Sequence, residues 1–138
     1  MIEQTVLAEG EACRFCLSKP GRSVMIEGKF GFAAYDKHPA SAGHFLVIPY
    51  RHFSDYFDIT AEESEELWRL VAEGKKLADE KHKPDGYNVG INVGKWAGQS
   101  IPHLHIHVIP RYQGDVENPK GGVRSVIPRN KLYTVNPD

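Results

Sequence analysis

Three histidines that alternate with aliphatic residues constrain the fold of this chain more than any other feature. The segment 103–108 contains His103, His105 and His107, each followed by leucine, isoleucine or valine. Because successive side chains of a strand point to opposite faces, the imidazoles are predicted on one face and the aliphatic side chains on the other. The aliphatic face is typical of a strand that packs on a core, whereas three adjacent imidazoles indicate a functional site.

Two kinds of chemistry suit such a row of imidazoles. Same-face neighbours on a strand are separated by ~6.6 Å, so the rings can lean together around one phosphate or converge on one metal ion. A neutral imidazole is a good nucleophile, and its ordinary pKa of about 6.5 leaves much of it neutral at physiological pH. A metal hydrolase that binds one ion with all three histidines stays open as an alternative.

The surrounding sequence predicts a single α+β domain. Its length of 138 residues fits one domain. The best helix runs from Thr60 to about Lys83, because Thr60 and Glu63 form a capping box and Pro84 stops the helix. Leu67, Leu70, Val71, Leu77 and Ala78 provide its apolar face. Hydrophobic runs bounded by glycine and proline predict strands, which make a sheet of about five strands with one helix layer; they cover residues 24–35 (two strands), 43–49, 87–93 and 101–110.

Composition and charge exclude several classes of protein. The 17 lysine and arginine residues nearly balance the 18 aspartate and glutamate residues, so nucleic acid is not an expected partner. No apolar run is long enough for a membrane span, and residues 1–4 do not begin a secretory signal. We therefore expect a cytoplasmic protein. Cys13 and Cys16 form a C-x-x-C pair, which in a reducing compartment indicates a metal or redox role.

Residues 98–111 (GQSIPHLHIHVIPR) resemble the motif of the histidine triad (HIT) family. Residues 35–36 with 43–52, and residues 87–94, are similar to the strands that surround this motif in the family. The resemblance implies a HIT-like fold, an antiparallel sheet of about five strands with one main helix over about 60–83. It further implies a HIT domain over 1–112, followed by an extension over 113–138 that packs on the same domain.

The resemblance also implies cleavage or transfer at the α-phosphate of a purine nucleotide. His105 would be the nucleophile and form a nucleotidyl–imidazole intermediate. The other implied catalytic residues are His107, Ser100 and His44. The implied nucleotide-binding residues are Asp36 for the ribose, Asn92, Gly98 and Gln99 for the phosphates, and Phe15 and Leu46 as walls of the base pocket. For Phe15, Leu46 and Asn92, an ordinary structural role is the alternative.

In zinc-containing members of the family, a cysteine pair, a downstream histidine and the first triad histidine bind the metal. The resemblance therefore implies a structural zinc site of Cys13, Cys16, His52 and His103. The alternatives are a redox C-x-x-C motif or two free thiols.

The implied substrates are dinucleoside polyphosphates such as diadenosine tetraphosphate, and family members commonly form homodimers. A nucleoside phosphoramidase and a nucleotide-binding module with weak catalysis remain alternatives. The extension carries Lys120, Arg124, Arg129 and Lys131, which either reach a polyphosphate chain or lie in a solvated loop.

Overall fold

The computed structural model describes residues 13–18 and 23–133, and within them it confirms an α+β architecture with one main helix. Parts of the predicted domain 1–112 and of the extension 113–138 lie outside these residues, including residues 1–4. In chain order the helices and strands are α1 (Arg14–Ser18), β1 (Val24–Glu27), β2 (Gly31–Tyr35), β3 (Phe45–Pro49), α2 (Ala61–His82), β4 (Gly86–Gly90) and β5 (Ile106–Arg111). Neither described helix is long and apolar enough to cross a membrane.

The five strands form one antiparallel sheet in the order β1-β2-β3-β5-β4. Alternate residues of the central strand β3 enter two separate hydrophobic clusters, one on each face of the sheet. Phe45 and Val47 pack with the α2 residues Leu67 and Leu70. Leu46 and its neighbours pack on the opposite face with residues of α1 and of the turn before it. The expected sheet with one main helix is confirmed, and the short α1 packs on part of the second face.

Helix α2 begins and ends as the sequence predicts. The hydroxyl of Thr60 accepts a hydrogen bond from the amide of Glu63, whose carboxylate accepts one from the amide of Thr60. Lys83 ends the helix in the left-handed conformation, with φ of 49°. Leu77 differs from the prediction, since it lies at the edge of the apolar stripe and is 42% exposed.

The strand that carries the histidines is shorter than predicted. It begins at Ile106 instead of residue 101, because the preceding amides bond elsewhere. The amide of His103 donates to the carbonyl of Ile101, and the amide of Leu104 donates to that of Phe53. The strand predicted over 87–93 likewise ends at Gly90. His107 therefore lies in the sheet, whereas His103 and His105 precede it.

Gly74 lets α2 approach the ring of Phe45, so we expect Gly74→Ala to destabilise the fold. A Cβ at this position would lie 2.5 Å from Cε2 and Cζ of Phe45, which is completely buried. Alanine gains about 1 kcal/mol of helix propensity, but overpacking a core costs typically about 1–3 kcal/mol. Urea denaturation should show a lower free energy of unfolding than in the parent. Gly86→Ala is the control, since its Cβ meets no described atom within 4 Å; a Gly74→Ala protein more stable than the parent would contradict the prediction.

Candidate functional site

The alternating histidines reach the α1 side of the sheet. His107 lies in β5 between Leu46 of β3 and Gly90 of β4. The ring of His105 lies 4.9 Å from the ring of His107 and 4.9 Å from that of Phe15, in edge-to-face contacts. The imidazole and aliphatic side chains therefore lie on opposite faces as predicted, although only part of the segment is a strand.

Backbone hydrogen bonding fixes which nitrogen of His105 carries the hydrogen. Nδ1 lies 2.9 Å from the carbonyl oxygen of His103, and because that oxygen can only accept, Nδ1 must donate. The lone pair of the neutral ring is then on Nε2. Burial lowers the pKa of His105 to about 4, although the hydrogen bond to the carbonyl opposes this shift. His105 is thus a neutral imidazole with an available lone pair, the form required of a nucleophile.

A chain of hydrogen bonds gives His107 the opposite tautomer. The amide of Ala40 donates to Nδ1 of His44 over 2.9 Å, so the hydrogen of a neutral His44 is on Nε2. This Nε2 lies 3.1 Å from Nδ1 of His107, to which it donates. His107 consequently carries its hydrogen on Nε2. Burial lowers the pKa of both His44 and His107, while the Asp36 carboxylate acts in the opposite direction. Neighbouring rings therefore present one free lone pair, on Nε2 of His105, and one N–H donor, on Nε2 of His107.

Four metal-ligating side chains meet beside this pair, as the resemblance implies. The thiol of Cys13 lies 3.2 Å from Nδ1 of His103, and that of Cys16 lies 3.5 Å from Nδ1 of His52. Nδ1 of His52 and Nδ1 of His103 are 3.1 Å apart. All four ligand atoms lie within 4.8 Å of one another.

The tautomer of His103 suits a metal ligand. Its Nε2 donates to the carbonyl of Pro49 over 2.8 Å, which leaves the lone pair of Nδ1 directed at the thiols. Burial lowers the pKa of His103 to about 4, so the ring is neutral. Two thiols and two imidazoles make a donor set of the closed, structural zinc type, and the hydrogen bond from His103 to Pro49 is the outer support such ligands require.

The alternative of one ion bound by all three alternating histidines gains no support. Among the described residues, the potential metal ligands form two separate groups, and neither contains His105. The second group comprises Asp36, His44 and His107. Because Nε2 of His44 carries a hydrogen, it has no lone pair to offer an ion.

A cleft of about 270 Å³ opens at His105 and His107. Five further residues of the predicted site line it, namely Phe15, Asp36, Leu46, Asn92 and Ser100. We call it the histidine cleft. Asp36 follows β2, and its amide donates to the carbonyl of His44, which holds the two residues side by side.

Gln99 and Gly98 are not among the residues that line this cleft. The amide group of Gln99 is buried and holds the loop before the histidines, since it donates to the carbonyls of Ser54 and Ile101 and accepts from the amide of Gly94. Gly98 ends a 3-10 turn with φ of 94°, a conformation that favours glycine. These two residues therefore shape the loop that bears Ser100.

The sequence analysis did not identify two cationic residues of the histidine cleft. Arg14 and Lys37 both line it, and neither forms an ion pair with a described residue. Their positions in the sequence could have indicated this, because each is next to residues of the predicted site. Arg14 lies between Cys13 and Cys16, and Lys37 follows Asp36. Positive charge at its mouth makes the cleft suitable for an anionic ligand.

Comparison with known proteins agrees with this geometry. A sequence model described as the HIT domain matches residues 20–114. The chain is 40% identical over 93 residues to an AP-4-A phosphorylase of Mycobacterium tuberculosis, covering 67% of this chain and 48% of that protein. It is 38% identical over 95 residues to a bis(5'-adenosyl)-triphosphatase of Dictyostelium discoideum, covering 69% and 64%. The chain thus spans about half the length of the first of these curated relatives.

Solved structures share the fold over most of both chains. A HIT family protein from Bacillus anthracis superposes with a TM-score of 0.72 at 27% identity, covering 96% of this chain and 84% of that one. A zinc-bound histidine triad family protein from Mycobacterium smegmatis superposes with a TM-score of 0.70 at 32% identity, covering 78% and 80%. The two rings of opposite tautomer and the Cys/His group therefore lie in a fold for which a zinc-bound example is known.

Proposed function

This chain belongs to the HIT domain family, and on that premise we propose that it cleaves dinucleoside polyphosphates at the α-phosphate through a covalent intermediate on His105. The observation that carries the proposal is the pair of opposite tautomers, with a lone pair on Nε2 of His105 and a hydrogen on Nε2 of His107. The names of two relatives support the substrate class, since one is an AP-4-A phosphorylase and another a bis(5'-adenosyl)-triphosphatase.

In the first step, Nε2 of His105 attacks the α-phosphorus, a nitrogen–phosphorus bond forms, and the bond to the bridging oxygen breaks. The leaving nucleoside polyphosphate takes the electron pair of the broken bond. The ring becomes cationic, and its Nδ1 hydrogen remains bonded to the carbonyl of His103, which stabilises the new charge. The Nε2 hydrogen of His107 donates to a non-bridging phosphate oxygen.

In the second step, an acceptor oxygen attacks the phosphorus, and the nitrogen–phosphorus bond breaks. With water as the acceptor, the product is the nucleoside monophosphate and one proton is released. With inorganic phosphate as the acceptor, the product is the nucleoside diphosphate. Both routes regenerate neutral His105 and use the same covalent intermediate.

The remaining cleft residues suit the rest of the substrate. In this proposal Asp36 accepts hydrogen bonds from the ribose hydroxyls, and Phe15 and Leu46 flank the base; their position in one cleft supports these roles. Ser100 and Asn92 can donate to phosphate oxygens at the histidine end of the cleft. The charges of Arg14 and Lys37 offset those of an anionic substrate.

We further propose that Cys13, Cys16, His52 and His103 hold a structural zinc ion. When bound, the zinc ion would cross-link these segments of the protein and would not activate the substrate. The two cysteines flank Phe15, whose ring contacts His105, so this link would tie the wall of the histidine cleft to the segment that carries the proposed nucleophile. Cys13 and His103 are buried, as a closed site requires.

A substrate panel with identified products tests the proposed function. The protein is incubated separately with three substrates, namely diadenosine tetraphosphate, diadenosine triphosphate and adenosine phosphoramidate. Each reaction is run with and without inorganic phosphate, and the products are separated by ion-exchange chromatography. Attack at the α-phosphorus predicts AMP and ATP from the tetraphosphate in water, and ADP and ATP where phosphate is the acceptor. Two molecules of ADP without ATP would place the cut elsewhere and refute the proposal. Preferred cleavage of the phosphoramidate would favour the alternative of a nucleoside phosphoramidase.

A further inference from the structure

The two cysteine thiols lie close enough to react with each other. Sγ of Cys13 is 3.1 Å from Sγ of Cys16, and it accepts a hydrogen bond from the amide of Cys16 over 3.2 Å. The sulfur–sulfur bond of a disulfide measures about 2.05 Å, so a closure of roughly 1 Å would join the pair. The two sulfurs that suit a metal ion can therefore bond to each other instead.

The two thiols differ in their access to solvent. Cys13 is buried, whereas Cys16 is half-buried. His52, whose Nδ1 lies 3.5 Å from Sγ of Cys16, is exposed. Because oxidation of a cysteine depends on the exposure of its sulfur, a small oxidant in solution reacts with Cys16 first. Cys13 is then the inner partner that can displace the oxygen from the oxidised sulfur.

Phe15 connects the cysteine pair to the histidine cleft. It lies between Cys13 and Cys16 in the chain and is buried. Its ring lies 4.9 Å from the ring of His105 and 5.9 Å from that of His103, and its side chain lines the cleft. A change in the bonding of the cysteines on both sides of Phe15 therefore acts on a wall of the cleft.

Both sulfurs also link α1 and the residue before it to the histidine segments. Sγ of Cys13 lies 3.2 Å from Nδ1 of His103, and Sγ of Cys16 lies 3.5 Å from Nδ1 of His52 and of His103. A disulfide would withdraw both thiolates from a metal ion. Two imidazoles would remain, which is half of the four-ligand set that structural zinc requires.

We propose that Cys13 and Cys16 form a peroxide-sensitive dithiol, whose oxidation to a disulfide releases the zinc ion and weakens nucleotide binding in the histidine cleft. This inference rests on the proposed function, both for the zinc ion and for Phe15 as a wall of the base site. Redox chemistry of a thiol pair is one of the ways in which a local change of bonding acts on a binding site.

Hydrogen peroxide is the oxidant, and the reaction has two steps. The thiolate of Cys16 attacks one peroxide oxygen, the oxygen–oxygen bond breaks, and hydroxide leaves a sulfenic acid behind. The thiolate of Cys13 then attacks the Cys16 sulfur, the sulfur–oxygen bond breaks, and a second hydroxide leaves. The two sulfurs lose two electrons, which reduce the peroxide, and two protons convert the hydroxides to water.

The test treats the full-length, zinc-loaded protein with a small excess of hydrogen peroxide. A chromogenic chelator measures released zinc, peptide mass spectrometry without reduction detects the disulfide, and calorimetric titration gives the Kd for AMP. We expect release of about one zinc per chain and a disulfide between Cys13 and Cys16. The Kd for AMP should rise about tenfold, which lies within the range for losing one aromatic stacking contact. Dithiothreitol followed by zinc should restore the original Kd.

Cys16→His is the matched control, because imidazole is also a zinc ligand but forms no disulfide. After the same treatment it should keep its zinc and its affinity for AMP, with circular dichroism to verify the fold. The parent protein provides a second control that does not depend on this variant. Diamide oxidises thiols but leaves the thioether of Met25 intact, and it should reproduce the effects of peroxide.

Thiols that stay reduced with zinc still bound would overturn the inference, as would a disulfide that joins two chains. A disulfide between Cys13 and Cys16 with unchanged zinc content or unchanged Kd for AMP would overturn it as well. In these cases cleavage of diadenosine tetraphosphate by the reduced protein would still support the proposed function. A reduced protein that neither binds AMP nor cleaves this substrate would refute both.

Discussion

Replacing His105 with alanine should lower the kcat for diadenosine tetraphosphate by at least about 10³-fold. The reason is that the covalent route depends on the lone pair of Nε2, and His107, the adjoining ring, presents a hydrogen on its Nε2 instead. Nucleotide binding should persist, because Asp36, Phe15 and Leu46 are unchanged. Single-turnover measurement of AMP release gives the rate, and calorimetric titration with AMP gives the affinity.

His107→Gln is the matched control for this variant. Glutamine can still donate a hydrogen bond from its amide group, so we expect a smaller loss of kcat than in His105→Ala, and a smaller loss than in His107→Ala. Rapid quenching into base should trap an adenylyl group on His105, detected by mass spectrometry of peptides. Turnover by His105→Ala within about tenfold of the parent, or an adduct on another residue, would refute the assigned nucleophile.

Loss of the Cys/His site should have the largest effect on stability. Binding of structural zinc contributes about 10–16 kcal/mol in small zinc domains, comparable to the ~5–15 kcal/mol that stabilises a whole domain. Cys13→Ser removes a buried ligand whose thiol lies 3.2 Å from Nδ1 of His103. We expect the variant to lose bound zinc and its Tm to fall by more than about 10 °C. Elemental analysis and differential scanning calorimetry provide the measurements.

His38→Gln is the control for zinc binding, since this exposed histidine does not belong to the Cys/His group. It should retain about one zinc per chain, the stoichiometry of a single four-ligand site. Removal of metal from the parent with a strong chelator should reproduce the lower Tm of Cys13→Ser, and added zinc should restore it. A parent protein that contains no zinc when purified from zinc-supplemented cells, or whose Tm is insensitive to the chelator, would contradict the site.

Much of the fold could be predicted because local patterns and the final structure agree. The capping box of Thr60 and Glu63 starts α2 where the sequence places it, since both bonds form within one turn. The glycine at position 28 separates β1 from β2 as predicted. The predicted start of β5 was wrong because Leu104 bonds to Phe53, a partner distant in sequence. Periodicity reports which side chains share a face, but it does not report which backbone partner an amide finds.

The sequence by itself determined which histidines share one side of the chain, because alternation is a property of an extended backbone. The family resemblance also singled out the four cysteine and histidine side chains that the structure brings together. Only the tertiary structure decided the tautomers of the rings, since these depend on the carbonyls of His103 and Pro49 and on the amide of Ala40. It alone also placed Arg14 and Lys37 beside the site. Hydrogen-bond partners and cleft walls come from segments far apart in the chain, and their meeting depends on how the whole domain packs.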